Sequence, residues 1–98
     1  MKLEECRRQI DELDAKLVAL LNRRAILARE IGRIKLQAGL PVSDPEREEK
    51  VLRGIMKNSS GPVDDRALAR LYREILTESR RIQNDLAAEL LAGGEISR

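Results

Sequence analysis

Residues 3–38 read LEECRRQIDELDAKLVALLNRRAILAREIGRIKLQA, and the spacing of their apolar side chains decides the fold. Cys6, Ile10, Leu13, Leu17 and Leu20, then Leu27, Ile31, Ile34 and Ala38, recur at alternating steps of four and three. That pattern is a heptad-like seam along one side of an α-helix. Gly39 followed by Pro41 supplies the stop. A helix over 3–38 would be about 54 Å long at 1.5 Å rise per residue. A compact chain of this length has a radius of gyration of about 12.6 Å and a diameter of roughly 33 Å. The chain cannot cover such a helix by itself. The seam is therefore expected to continue against a second copy, in an intertwined all-helical homodimer with helix 1 paired across the two-fold.

Outward from this stretch the sequence predicts two more helices, over about 44–58 and 64–92. In Ser43-Asp44-Pro45-Glu46, either Asp44 caps with Pro45 at the first helical position, or Ser43 caps and Glu46 completes a capping box. Val51, Leu52 and Ile55 give the second helix one apolar face, and Asn58-Ser59-Ser60-Gly61-Pro62 ends it. Asp64 is placed to cap the third, whose stripe runs Leu68, Tyr72, Ile75, Ile82, Leu86 and Leu90 before Gly93-Gly94. No segment alternates with period two for long enough to suggest a strand. The expected architecture is all-α, with three helices per chain forming one helical domain over 1–98.

Composition removes most catalytic chemistry. The 98 residues contain no His, no Trp, no Phe, one Tyr and one Cys. Imidazole relays, Ser-His or Cys-His pairs and His-based metal sites are excluded. One cysteine excludes a zinc knuckle and an intramolecular disulfide, and one aromatic ring offers no platform for stacking bases. Charged residues make up 37% of the chain, yet 19 basic against 17 acidic leave a net charge of only +2, too balanced for a general polyanion binder. The start has no apolar leader segment, and the longest apolar run, Leu17–Leu21, is too short to span a bilayer. A cytoplasmic protein with a reduced Cys6 is expected, binding neither nucleic acid nor membrane.

The informative positions are polar residues where the pattern calls for leucine. Arg24 interrupts the seam between Leu20 and Leu27. Lys35 follows eleven residues later, only roughly 20° away around the helix and about 16 Å along it. Asp44, Arg47 and Glu48 precede Val51 and Ile55 along the apolar side of helix 2, while Ser79 takes a seam position on helix 3 with Gln83 at i+4. Each of these alone is compatible with internal pairing, such as Arg24 with Glu48, or with Lys35 snorkelling at a rim. As a set they are mostly donors with few carboxylates to satisfy them, which suggests a pocket for a small carboxylate compound held by bidentate arginine contacts. Arg7 lies about 26 Å from Arg24 along the helix, so the two can share a site only if Arg7 comes from an antiparallel partner chain; otherwise it is a solvated surface residue.

Over about residues 3 to 90 the chain resembles the all-helical class of chorismate mutases. The resemblance rests on Arg7-x-x-Ile10-Asp11-x-Leu13-Asp14, Leu20-Leu21-x-Arg23-Arg24, Ile31-Gly32-x-x-Lys35, Pro41-Val42-x-Asp44-Pro45-x-Arg47-Glu48, and Glu78-Ser79 with Gln83. It implies a three-helix protomer in an intertwined dimer with two identical active sites, converting chorismate to prephenate on the way to Phe and Tyr, without cofactor or metal. By position it implies that Arg24 and the partner chain's Arg7 bind the substrate carboxylates, with a further hydrogen bond from Ser79. Lys35 and Gln83 are implied as donors to the ether oxygen. Glu48 and Asp44, with Arg47 nearby, are implied to hold the ring hydroxyl.

Three other functions compete. An isochorismate-pyruvate lyase of the same fold would also use Arg24, Lys35 and Gln83, but would leave Asp44 and Glu48 without a purpose. A non-catalytic helical dimerisation module predicts apolar residues at 24 and 79. A helix-turn-helix DNA binder is hard to reconcile with a first helix of about 36 residues and a near-neutral charge. The sequence leaves open whether the chain acts alone or associates with another shikimate-pathway enzyme.

Overall fold

The computed structural model describes residues 1–94. The long seam forms α1, Leu3–Ala38; it is followed by α2, Pro45–Asn58, and α3, Asp65–Ala92. All three lie where the periodicity placed them. Glu4 and Glu5 occupy the first turn of α1, where carboxylates complement the helix dipole. At its other end Gly39 adopts a left-handed conformation (φ 69°), donating its N–H to the Leu36 carbonyl while Leu40 donates to Lys35. This is a Schellman motif, and it needs a residue without Cβ at position 39.

The ambiguity at the start of α2 is resolved in favour of Asp44, whose carboxylate accepts from the Arg47 backbone N–H at 3.2 Å, with Pro45 as the first helical residue. Asp64 caps α3 as expected, accepting from the Ala67 N–H at 2.8 Å. No helix among the described residues is long and apolar enough to cross a membrane.

α3 packs against both α1 and α2, which do not pack on each other. Arg24 meets Ser79 and Gly32 meets Gln83, so α1 and α3 run in the same direction. The buried stripe of α3 is Ala69, Leu76, Gln83 and Leu86, and the buried residues of α1 are Ala28, Gly32 and Leu36, with Gly32 against Gln83. Of the expected stripe Leu68, Tyr72, Ile75, Ile82, Leu86 and Leu90, only Leu86 is fully buried; the others are half-buried, and Ala69, Leu76 and Gln83, each one residue on, take the buried positions. The molecule measures 59 × 26 × 15 Å with a radius of gyration of 17.2 Å. A compact chain of this length would have about 12.6 Å. The first half of α1 projects beyond the other helices, with Ile10, Leu13 and Leu17 all more than half exposed.

Candidate active site

A cavity of about 280 Å³ opens between the second half of α1, the start of α2 and the middle of α3. Arg24, Lys35, Asp44, Arg47, Glu48, Ser79 and Gln83 all line it, with Leu27, Ile31, Val51 and Leu76 among its apolar walls. Seven of the eight residues singled out from sequence are thus brought together from three helices. Arg7 is not among them. It is exposed, about 26 Å up α1 from Arg24, and pairs with Glu4 on its own helix at 3.2 Å.

At one end of the cavity Arg24 donates from Nη1 to Ser79 Oγ at 2.5 Å, and the Ser79 hydroxyl donates to the Ile75 carbonyl one turn back, at 3.0 Å. The serine is held as an acceptor for a cation while its own O–H is engaged by a backbone carbonyl. At the other end Lys35 Nζ donates to the Val42 carbonyl at 3.0 Å, folding the loop after the Gly39 cap over the cavity. Among the described residues neither Arg24 nor Lys35 has a carboxylate partner, so the internal pairing of Arg24 with Glu48 does not form. Both cations keep donors free.

Between them lies Gln83, 7% exposed, with its Oε1 buried and lacking any hydrogen-bond partner among the described residues. A buried amide oxygen without a partner costs on the order of 1–3 kcal/mol. Its position follows from Gly32: a Cβ there would lie 2.9 Å from Gln83 Cγ and 3.0 Å from its Cα and Cβ. The two helices touch at that point because position 32 has no side chain. Only a backbone shift could make room for one.

On the α2 side Asp44 and Glu48 both line the cavity, and Asp44 is engaged at its helix cap. Both Glu48 oxygens accept from Arg80 Nη1, while Arg80 Nη2 donates to Thr77 Oγ1 at 3.0 Å. Arg80 also lines the cavity and is the site residue that sequence reasoning missed. A signal existed: Arg80 stands three residues before Gln83, a spacing that puts both on neighbouring rows of one helix face. With Arg80 included, four cations face two carboxylates, leaving a surplus of two positive charges. The cavity is therefore suited to a small dianion with apolar parts, and its free donors can meet charge that develops on a bound molecule.

Comparison with known proteins agrees with this chemistry. The chain is 38% identical over 94 residues to a bifunctional chorismate mutase/prephenate dehydratase of Aquifex aeolicus, covering 92% of this chain and 26% of that protein. It thus spans about a quarter of the length of the bifunctional relatives it matches. A chorismate mutase of Methanocaldococcus jannaschii is 32% identical over 91 residues, covering 90% of each chain. The crystal structure of chorismate mutase from Helicobacter pylori in complex with prephenate superposes with a TM-score of 0.82 at 32% identity, covering 90% of this chain and 96% of that one. The model of the family chorismate mutase type II matches residues 6–84, and the chain belongs to that family.

Proposed function

We propose that this protein is a chorismate mutase, rearranging chorismate to prephenate in the supply of Phe and Tyr. The observation that carries the proposal is the convergence of Arg24, Lys35 and the buried Gln83 amide in one cavity with two surplus positive charges. Chorismate is a dicarboxylate with an ether bond and a ring hydroxyl, and each feature has a counterpart. Arg24, supported by Ser79, takes a carboxylate. Lys35 and Gln83 flank the position of the ether oxygen. Glu48, with Asp44 and Arg47 nearby, accepts the hydroxyl.

The reaction is a unimolecular pericyclic shift, so no proton moves and no covalent intermediate forms. Two physical effects suffice. Clamping the carboxylates holds the flexible enolpyruvyl arm against the ring in its reactive conformer. Negative charge growing on the ether oxygen as its C–O bond breaks meets donors that are already in place, with Lys35 supplying charge and Gln83 a hydrogen bond.

The working unit is proposed to be a homodimer in which each site receives Arg7 from the partner chain. A compact monomer of 11.1 kDa would expose about 5,700 Å². This protomer exposes 7906 Å², an excess of roughly 2,200 Å² over that scaling. The excess lies in the range obligate homodimers bury. An apolar groove including Leu21, Ala25, Ile75 and Ile82 shares Arg24 and Ser79 with the cavity, so a helix seated there would bring its side chains beside Arg24. A cytoplasmic location and cooperation with another shikimate-pathway enzyme belong to the same proposal. The latter is supported by the bifunctional relatives.

The test is a chorismate absorbance assay with product identification. Prephenate is the expected product. Salicylate with pyruvate from isochorismate, or no turnover of chorismate, would refute the assignment.

A further inference from the structure

We infer that Arg80 is a positioning residue that fixes Glu48 as the specificity element for the substrate hydroxyl; this rests on the function proposed above. The pair joins α3 to α2 across the mouth of the cavity, and both side chains are roughly one-third exposed, at 35% and 27%. One guanidinium nitrogen contacts both carboxylate oxygens, and another is tied to Thr77 on the preceding turn of α3. Thr77, Arg80 and Glu48 thus form a chain in which the carboxylate is held from behind by a cation that is itself anchored to its own helix.

A carboxylate offers about four lone-pair sites. Arg80 Nη1 contacts both oxygens of Glu48, which also lines the cavity, so acceptor capacity remains for a second donor. Held this way, Glu48 can only accept. It suits a hydroxyl donor and repels an anion, so it selects which end of a dicarboxylate enters beside α2. Without Arg80, Glu48 would be free to rotate toward Arg47 or toward solvent, and the hydroxyl would lose its fixed acceptor. Arg80 does not itself touch the hydroxyl; it acts through Glu48. This separates it from Arg24 and Lys35, whose donors are free for the ligand.

A double-mutant cycle tests the assignment in the intact chain. Arg80→Leu keeps the apolar stem and is expected to raise KM for chorismate about tenfold, with kcat changed far less and with helicity and assembly mass unchanged. Arg80→Lys keeps the charge but not the two-sided grip, and is expected to recover part of the loss. In a Glu48→Gln background Arg80→Leu is expected to add no more than about a twofold effect, since residues that act as a unit are non-additive. A further tenfold loss in that background would overturn the inference by showing that Arg80 contacts substrate directly. Unchanged kinetics of Arg80→Leu would overturn it by showing that the pair is only a surface bridge. Wild-type turnover is measured first: its absence overturns the functional proposal and this inference together, whereas normal wild-type turnover with indifferent Arg80 variants overturns the inference alone.

Discussion

Along α1, residues 3–20 and residues 24–38 follow the same heptad-like spacing, yet only the second stretch is packed by its own chain. Ala28, Gly32 and Leu36 are buried there against α3, whereas Ile10, Leu13 and Leu17 in the first stretch are exposed by 55–57%. Even in the packed half the buried residues are not those of the leucine seam. They form an i, i+4 row of mostly small side chains that lets α3 approach closely, while Leu20, Leu27, Ile31 and Ile34 remain largely exposed beside it. One helix thus carries two surfaces: a narrow row for its own chain and a broad seam for another helix. The active-site cations sit where the two surfaces meet.

The largest effect is expected from breaking the unpacked half. Leu17→Glu places a charge in the seam without touching the cavity. It should convert the assembly to monomer in sedimentation and abolish activity, with much of the helicity lost. If Leu17→Glu remains a fully active dimer, the first half of α1 is not the interface. In the packed half, Lys35→Ala should remove about 3–4 kcal/mol of transition-state stabilisation, roughly a hundred- to a thousandfold in kcat. Helicity and assembly mass should be unchanged. Substantial residual turnover would remove Lys35 from the ether oxygen.

A mixing experiment sharpens the comparison between the halves, because Arg7 lies on one and Arg24 on the other. Arg7→Ala and Arg24→Ala chains should each be poorly active alone, and their mixture should recover about one good site per mixed dimer. No recovery would mean that the site is not shared. Gly32→Ala tests the close approach inside the packed half. The new methyl would overlap Gln83 at 2.9–3.0 Å, and overpacking of this kind costs on the order of 1–3 kcal/mol. Loss of kcat by about tenfold or more is expected, since a misplacement of an ångström is enough. A wild-type rate would show that Gln83 does not depend on this contact.

The smallest expected effect is that of pH. Hydrogen bonds from Arg33 and Arg81 hold the Glu30 and Glu78 carboxyls below their usual value of 4.5. Their contribution to stability is therefore complete above the unfolded-state value and is lost only as pH falls through the lowered folded values. Both pairs are solvent-exposed and neither lines the cavity, so acid should erode helicity slightly below about pH 4.5 and change turnover little. With an amide and not a carboxylic acid at position 83, activity should vary little between about pH 6 and 9. A steep fall above neutral pH would point to a titrating group in the site.

Much of this was legible in sequence because it depends on local geometry. A 36-residue helix, its glycine stop and the aspartate cap of α3 follow from spacing and turn chemistry, whereas the choice of Asp44 over Ser43 as the cap of α2 came from the structure. So does the presence of Arg24 and Lys35 on one face, since helical periodicity fixes their relative angle whatever else the chain does. That Ala69, Leu76 and Gln83 would be buried more deeply than Leu68, Ile75 and Ile82 was not legible. Periodicity locates the centre of a whole apolar face, and α3 divides its face between α1 and other contacts.

What the sequence by itself determined is the set of elements and the type of chemistry: three helices, the first too long for a small globule, and a candidate site of cations, carboxylates, a hydroxyl and an amide with no imidazole to draw on. The tertiary structure alone decided which groups pair. Glu48 went to Arg80, thirty-two positions away, and not to Arg24; Gln83 became buried because a glycine on another helix faces it. Such pairings depend on crossing point and interhelical distance. These are set by side-chain volumes at the contact, a property of two helices together that is written in neither one alone.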